Sequence, residues 1–400
     1  MYIERELLAP LHHTLQRGKS VLLMGPRQTG KSTLIEQQVT TDLTYSFLQT
    51  DIRRQFEQHP EHILSEIKAF RMLHPDKPLP MVYIDEVQLV PDILDNVQYA
   101  IDHKLAQFVL SGSSARKLKL RKQDINFLPG RLIDLRLDTL SISELAHLTV
   151  PLSQRLLYGT LPEIVLQESD ADRDQLLTAY VNLYLEQEIR AEALVRNLVS
   201  FSQFLQLMAI ESGNTVNINR LAERIGIKRH TLYDYLSILE DCLIIDRIEP
   251  LTDTTSRRRL SKANKYLFFD SGVRRIAAGE SAHIPEKYYG ALFEQFIGME
   301  CIKFMRQHAP QATLRYWQDH AGPEVDWVIE LNHRFLPIEV KYTDKPTAGD
   351  ARHLKKFMAE YPCHEPGLVI CRVPRPIELA PNILAVPWEE LFGLLVKILH

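Results

Sequence analysis

Short apolar runs recur through the first third of the chain, at Ser20–Met24, Thr44–Gln49, Met81–Ile84, Phe108–Ser111 and Leu132–Leu137. Stretches with apolar residues at helical spacing separate them, and strands alternating with helices predict a parallel sheet covered by its crossover helices. Ahead of the first run, Ile3, Leu7, Leu8, Leu11 and Leu15 share one face of an amphipathic helix within residues 1–19. From 140 to 212 the β-like alternation disappears and the pattern is helical almost throughout. Residues 214–268 predict two short helices, then β-like Leu243–Ile248 and Lys265–Phe269. Residues 285–400 return to α/β: helix, three closely spaced strands, helix, strand, short strand, helix. The pattern divides the chain at 1–140, 141–212, 213–270 and 285–400.

The chain has 400 residues, 45% hydrophobic and 24% charged, which excludes wholesale disorder and leaves room for several domains. No apolar run approaches the ~20 residues a membrane span requires, so no membrane partner is expected. The first residues, Met1-Tyr2-Ile3-Glu4-Arg5-Glu6, carry acids where a secretory signal carries bases and then an apolar stretch. Cys242, Cys301, Cys363 and Cys371 form no CxxC pair and read as reduced thiols, which fits a cytoplasmic protein. A net charge of −4 selects no partner, so nucleic-acid binding must rest on a local basic patch.

Gly25-Pro26-Arg27-Gln28-Thr29-Gly30-Lys31-Ser32 has the spacing of a phosphate-binding loop, after an apolar strand and before a helix whose first turn includes Thr33. Gly25 and Gly30 let the backbone curl until its N–H groups face phosphate oxygens, and the helix N-terminus adds partial positive charge. Lys31 supplies a point charge to the β- and γ-phosphates of ATP, and the Ser32 hydroxyl suits Mg²⁺. Val82-Tyr83-Ile84-Asp85-Glu86 is an apolar strand ending in two acids, costly to bury without purpose. Asp85 is expected to hold Mg²⁺, and Glu86 to act as general base on water. The next strand ends in Ser111-Gly112-Ser113-Ser114, where Ser111, with Ser113 in reserve, could orient that water; a serine-rich turn is the plainer alternative.

These motifs, with Leu128-Pro129-Gly130-Arg131, resemble an AAA+ superfamily module. Thr139-Leu140-Ser141-Ile142-Ser143-Glu144, Tyr158-Gly159-Thr160-Leu161-Pro162-Glu163 and Glu339-Val340-Lys341 follow in the order seen in archaeal and bacterial predicted AAA+ ATPases. Their C-terminal region is a domain of unknown function similar to restriction-endonuclease-like folds. The resemblance implies a P-loop AAA+ parallel-sheet module, a helical subdomain, a winged helix-turn-helix and a restriction-endonuclease-like α/β domain. It also implies that Arg131 senses the γ-phosphate, in cis or from a neighbouring subunit of a homo-oligomer. The alternative for Arg131 is a strand cap or a pair with Asp134.

Asn217–Ile227 and Lys228–Leu239 read as a helix-turn-helix with its turn at Gly226. The second helix offers Lys228, Arg229, His230, Tyr233 and Asp234, and Arg257, Arg258, Arg259, Lys262 and Lys265 make a basic wing. The pattern predicts DNA contact, with an intramolecular packing role as the alternative. In the last block, Glu294 lies on a helix, Asp326 on a strand, and Glu339 and Lys341 at i, i+2 on the next. This order looks like a PD-(D/E)XK nuclease core. Asp326 and Glu339, completed by Glu294, would hold Mg²⁺, and Lys341 would act on the attacking water. The alternatives are a plain cross-strand ion pair, or a domain that binds without cutting.

Overall fold

Strand β1 (Ser20–Met24) is buried along its whole length, because both faces of its sheet are covered. With β2 (Leu43–Ser46), β3 (Met81–Asp85), β4 (Gln107–Gly112) and β5 (Leu132–Arg136) it forms a sheet of order β2-β3-β4-β1-β5. Every pairing in it is parallel. Successive side chains point to opposite faces. Leu22, Ile84, Phe108 and Leu110 therefore join one apolar layer, and Val21, Leu23, Tyr83 and Val109 the other. Helix α1 (Leu8–Gln16) covers the second layer through Leu11, with Leu7 just before it, and α2 (Lys31–Gln38) through Leu34 and Ile35. The first layer lies under α3 (Thr50–Gln58), α4 (His62–Leu73) and α5 (Ile93–Asp102). The five strands stand where the apolar runs predicted them, within a few residues at each end.

This computed structural model describes residues 2–77, 79–116, 130–185, 198–251, 263–319, 322–361 and 365–399. Leu128, Pro129, Arg257, Arg258, Arg259, Lys262 and Cys363 lie outside them. The chain divides into two units, Met1–Thr139 with Asp241–Ile244, and Leu140–Glu240 with Ile245–His400.

In the second unit the helices are α6 (Leu152–Tyr158), α7 (Pro162–Val165), α8 (Asp170–Ala179), α9 (Leu198–Ile210), α10 (Ile218–Ile225), α11 (Arg229–Asp241) and α12 (Ser271–Ala277). They are followed by α13 (Tyr289–His308), α14 (Arg352–Glu360) and α15 (Leu391–Leu399). Helices α10 and α11 have the expected turn: Asn217 caps the first, and Gly226 ends it with φ 76°. The strands are β6 (Ile245–Pro250), β7 (Lys265–Phe268), β8 (Thr313–Gln318), β9 (Glu324–Leu331), β10 (Arg334–Val340), β11 (Gly367–Cys371), β12 (Ile377–Ala380) and β13 (Ile383–Pro387). They form one mixed sheet of order β12-β13-β11-β10-β9-β8-β6-β7.

That order joins blocks read apart in the sequence. Strand β6 pairs parallel with β8 at Glu249↔Arg315 and Pro250↔Tyr316, so β6 and β7 edge the C-terminal sheet. Tyr316 and Trp317 on β8 are wholly buried, and the Tyr316 hydroxyl donates to the Ala263 carbonyl. Among the described residues, no helix is long and apolar enough to cross a membrane.

Candidate nucleotide site and C-terminal acid cluster

The loop Gly25–Ser32 leaves the carboxyl end of β1, where open parallel sheets bind ligands. A Cβ at Gly25 would sit 2.3 Å from the Leu137 carbonyl oxygen, so only glycine lets the chains pass. Gly30 caps α2 in the left-handed conformation, φ 92°. Thr29 Oγ1 donates to the Pro26 carbonyl at 2.9 Å, closing the loop internally. Lys31 Nζ donates to the carbonyls of Gly25 and Pro26, both at 2.9 Å, placing the cation inside the curl. Arg5 holds the loop from behind: its guanidinium donates to the carbonyls of Thr29 and Asp138, each at 2.6 Å.

Strand order puts β4 between β1 and β3, so the serine-rich end of β4 stands between loop and acid pair. Ser32 Oγ lies 3.3 Å from Asp85 Oδ1 and 3.4 Å from Oδ2. A hydroxyl and a carboxylate at that separation are hard oxygen donors that suit Mg²⁺. Asp85 Oδ1 also accepts from Ser111 Oγ at 2.5 Å and from the Tyr83 hydroxyl at 3.0 Å. Burial, then the Asp85 charge, raises the Tyr83 phenol above its ordinary value, so it stays a donor. Glu86 has φ 57° and ψ 47°, rare for a residue with a side chain. Its Oε2 accepts from Gln88 Nε2, and from Ser113 Oγ at 3.1 Å. Thus Ser111 serves Asp85, whereas the reserve candidate Ser113 is the one that touches Glu86.

Arg131 is placed elsewhere. Leu132 pairs with Ser20 and Arg136 with Met24, so Arg131 precedes the opposite end of β5 from the loop. At ~3.3 Å per residue the separation is on the order of 16 Å. Its Nε donates to Asp102 at 2.5 Å, not to Asp134. The in-cis sensor expectation and the Asp134 pair are both corrected. Sequence reading missed Arg5, Tyr83 and Gln88; only the alternation of Tyr83 with Asp85 on one strand face could have signalled any of them.

In the second unit, Ile338 faces Trp327 across the antiparallel β9–β10 pair, which sets Glu339 opposite Asp326. Asp326 Oδ2 accepts from the Val340 amide at 2.8 Å. Lys341 Nζ donates to Glu339 Oε1 at 2.7 Å, the contact the ion-pair alternative predicts. Glu339 Oε2, however, is buried without a hydrogen-bond partner, which an ion pair alone does not explain. Burial first, then Asp326, pushes the Glu339 carboxyl up to about 8. Burial raises Asp326 as well, against the pull of Lys341 and Lys265. Glu294 is pushed up to about 7, by burial first and Asp326 second. Its Oε1 lies 3.3 Å from Lys265 Nζ, so its immediate neighbour is a lysine. Among the described residues, the metal-competent trio with ligand atoms all within 4.8 Å is the exposed His59, Glu61 and His62, not these acids.

Lys265, read as part of a basic wing, is 3% exposed. That expectation is corrected. Lys228, Arg229, His230, Tyr233 and Asp234 are exposed, with Arg229 donating to the Tyr233 hydroxyl at 3.0 Å.

Residues 17–146 match a family described as an AAA domain. Residues 150–283 and 289–391 match two domains of unknown function, DUF8612 and DUF4143. The chain is similar to uncharacterized proteins of Mycobacterium bovis and Mycobacterium tuberculosis. Each is 23% identical over 403 residues, covering 98% of this chain and 85% of the relative. Solved structures similar to it include a Signal Transduction ATPase with Numerous Domains (STAND) protein with a tetratricopeptide repeat sensor from Pyrococcus horikoshii. There the identity is 9%, the coverage 76% of this chain and 47% of that one, and the TM-score 0.23. For C. elegans PCH-2 the values are 17%, 58%, 66% and 0.24. Scores that low carry no argument about the fold. The AAA domain match and the loop with its acid pair support a P-loop AAA-type ATPase in residues 17–146.

Proposed function

We propose that the first unit hydrolyses ATP with Mg²⁺ and that the second acts on DNA through its C-terminal acid cluster. The approach of Ser32 to Asp85 at 3.3 Å, with Glu86 next in the chain, carries the first half. Lys31 and the loop amides orient the phosphates, Ser32 and Asp85 hold Mg²⁺, and Glu86, aimed by Gln88 and Ser113, takes a proton from water. The ion supplies charge neutralisation at the phosphate oxygens. Steady-state phosphate release by Glu86→Gln tests the base: undiminished turnover removes Glu86 from that role. A part for Arg131 in this chemistry requires a second copy of the chain.

The buried, unpartnered Glu339 Oε2 facing Asp326 favours a divalent-cation site in the second half. Asp326 and Glu339 would hold Mg²⁺, and Lys341 would position the attacking water. The exposed Lys228, just before α11, and Arg229, at its start, supply a cationic surface for phosphates. The Lys341–Glu339 contact supports a second reading, a nucleotide-switched binding protein that does not cut. Plasmid DNA incubated with the protein and Mg²⁺ or Mn²⁺, with and without ATP, separates the two. Cleavage lost in Asp326→Asn supports the first, and intact plasmid under all conditions supports the second.

A further inference from the structure

Lys265 lies in the span matching one domain of unknown function, yet it projects among acids of the span matching the other. Its Nζ is 2.7 Å from Glu324 Oε1 and 3.3 Å from Glu294 Oε1. The ammonium also stands 5.0 Å from the ring centroids of both Tyr316 and Trp327. Trp327 Nε1 donates to the Glu294 carbonyl at 3.0 Å, tying this wall to α13. Burial alone would lower the Lys265 amine, but Glu294 and Glu324 more than offset it and hold it above its ordinary value. It remains a charged lysine in a nearly closed place. Glu294 and Glu324 thus contact Lys265 directly, whereas Asp326 and Glu339 lie opposite each other on β9 and β10, with Glu339 Oε2 unpartnered.

We infer that the Lys265 ammonium takes the place of a second cation, so that the C-terminal site accepts one divalent ion, on Asp326 and Glu339. The inference rests on the metal-site reading above and deepens it. Two-metal phosphoryl-transfer centres hold their ions about 3.5–4 Å apart and need carboxylates for both. Here the carboxylates that would serve a second ion already neutralise a fixed lysine, whose charge repels another cation. Glu294 thus acts as a positioning residue through Lys265 and not as a ligand.

The test counts Mn²⁺ ions by calorimetry and by electron paramagnetic resonance, using the full chain carrying Asp85→Asn to silence the nucleotide site and His59→Ala with His62→Ala to remove the exposed His59, Glu61 and His62 trio. One bound ion is expected. It should survive Glu294→Gln and Glu324→Gln, and weaken in Asp326→Asn or Glu339→Gln by more than the roughly 10–100-fold that an outer-sphere partner costs. Lys265→Met, which keeps the stem and removes the charge, should bind a second ion. Two ions in the parent, loss of the ion in Glu294→Gln, or a folded Lys265→Met that still binds one, each overturns the role of Lys265. If Lys265→Met does not fold, the glutamine variants decide. No ion in the parent overturns the metal-site reading itself, a result distinct from the others.

Discussion

Lys31 and Glu86 occupy different kinds of position, and their variants should part accordingly. The Lys31 amine lies within the loop curl, where on the proposed function it would meet ground-state phosphate, so Lys31→Ala should abolish binding of a fluorescent ATP analogue. As the proposed base, Glu86 would act on water, so Glu86→Gln should bind normally and lose about 10²–10⁴-fold in turnover. Gly25 is limited by space. Its added Cβ would meet a backbone oxygen at 2.3 Å, which no side-chain rotation relieves. Gly25→Ala should cost about 1–3 kcal/mol in a denaturant melt and weaken nucleotide binding with it. At this scale the loop and acid pair are legible because each is contiguous. Arg5 was not, because its two acceptors, on Thr29 and Asp138, converge only after folding.

Among elements, the β9–β10 pair ties pH to stability. The Glu339 carboxyl has an ordinary value of 4.5 and is pushed up to about 8 by burial and then by Asp326. Between those values the folded chain keeps a proton that the unfolded chain has released. Metal-free protein should therefore lose stability as pH rises through that window, and a divalent ion that replaces the proton should reverse the trend. Thermal melts from pH 5 to 9, with EDTA or with Mn²⁺, check both slopes; parallel curves would detach Glu339 from any metal. The strands themselves were readable, since buried parallel strands are continuous apolar runs. Their ends were less so: β3 extends to Asp85, and β2 stops at Ser46. The helix-turn-helix was readable from Asn217 and Gly226, a cap and a stop that act within one turn of chain.

At the scale of the molecule, the second unit should resist division. Residues 285–400 taken alone lose β6 and β7, exposing the buried Tyr316 and the Trp327 face that packs on Lys265. Gly298 on α13 lies so near Trp327 and Leu267 that an added Cβ would come within 2.7 Å and 2.9 Å of them. A fragment of residues 140–400 should melt cooperatively by circular dichroism, whereas 285–400 should aggregate or lack a transition. A cooperative melt of the shorter fragment would show that β6 and β7 are dispensable.

The sequence alone determined what depends on neighbouring residues: five parallel strands, the phosphate loop, the acid pair, the helical turn and the order of the C-terminal acids. Strand periodicity and motif spacing are local, so they are visible before folding. Only the tertiary structure decided what depends on distant partners. Strand register sent Arg131 away from the loop, and the β6–β8 pairing carried β7 to the sheet edge. Lys265 shows why. In the sequence it closes a basic run, where solvent would hold its charge; in the fold it is 3% exposed between Glu294 and Glu324, and those carboxylates replace the water it gave up.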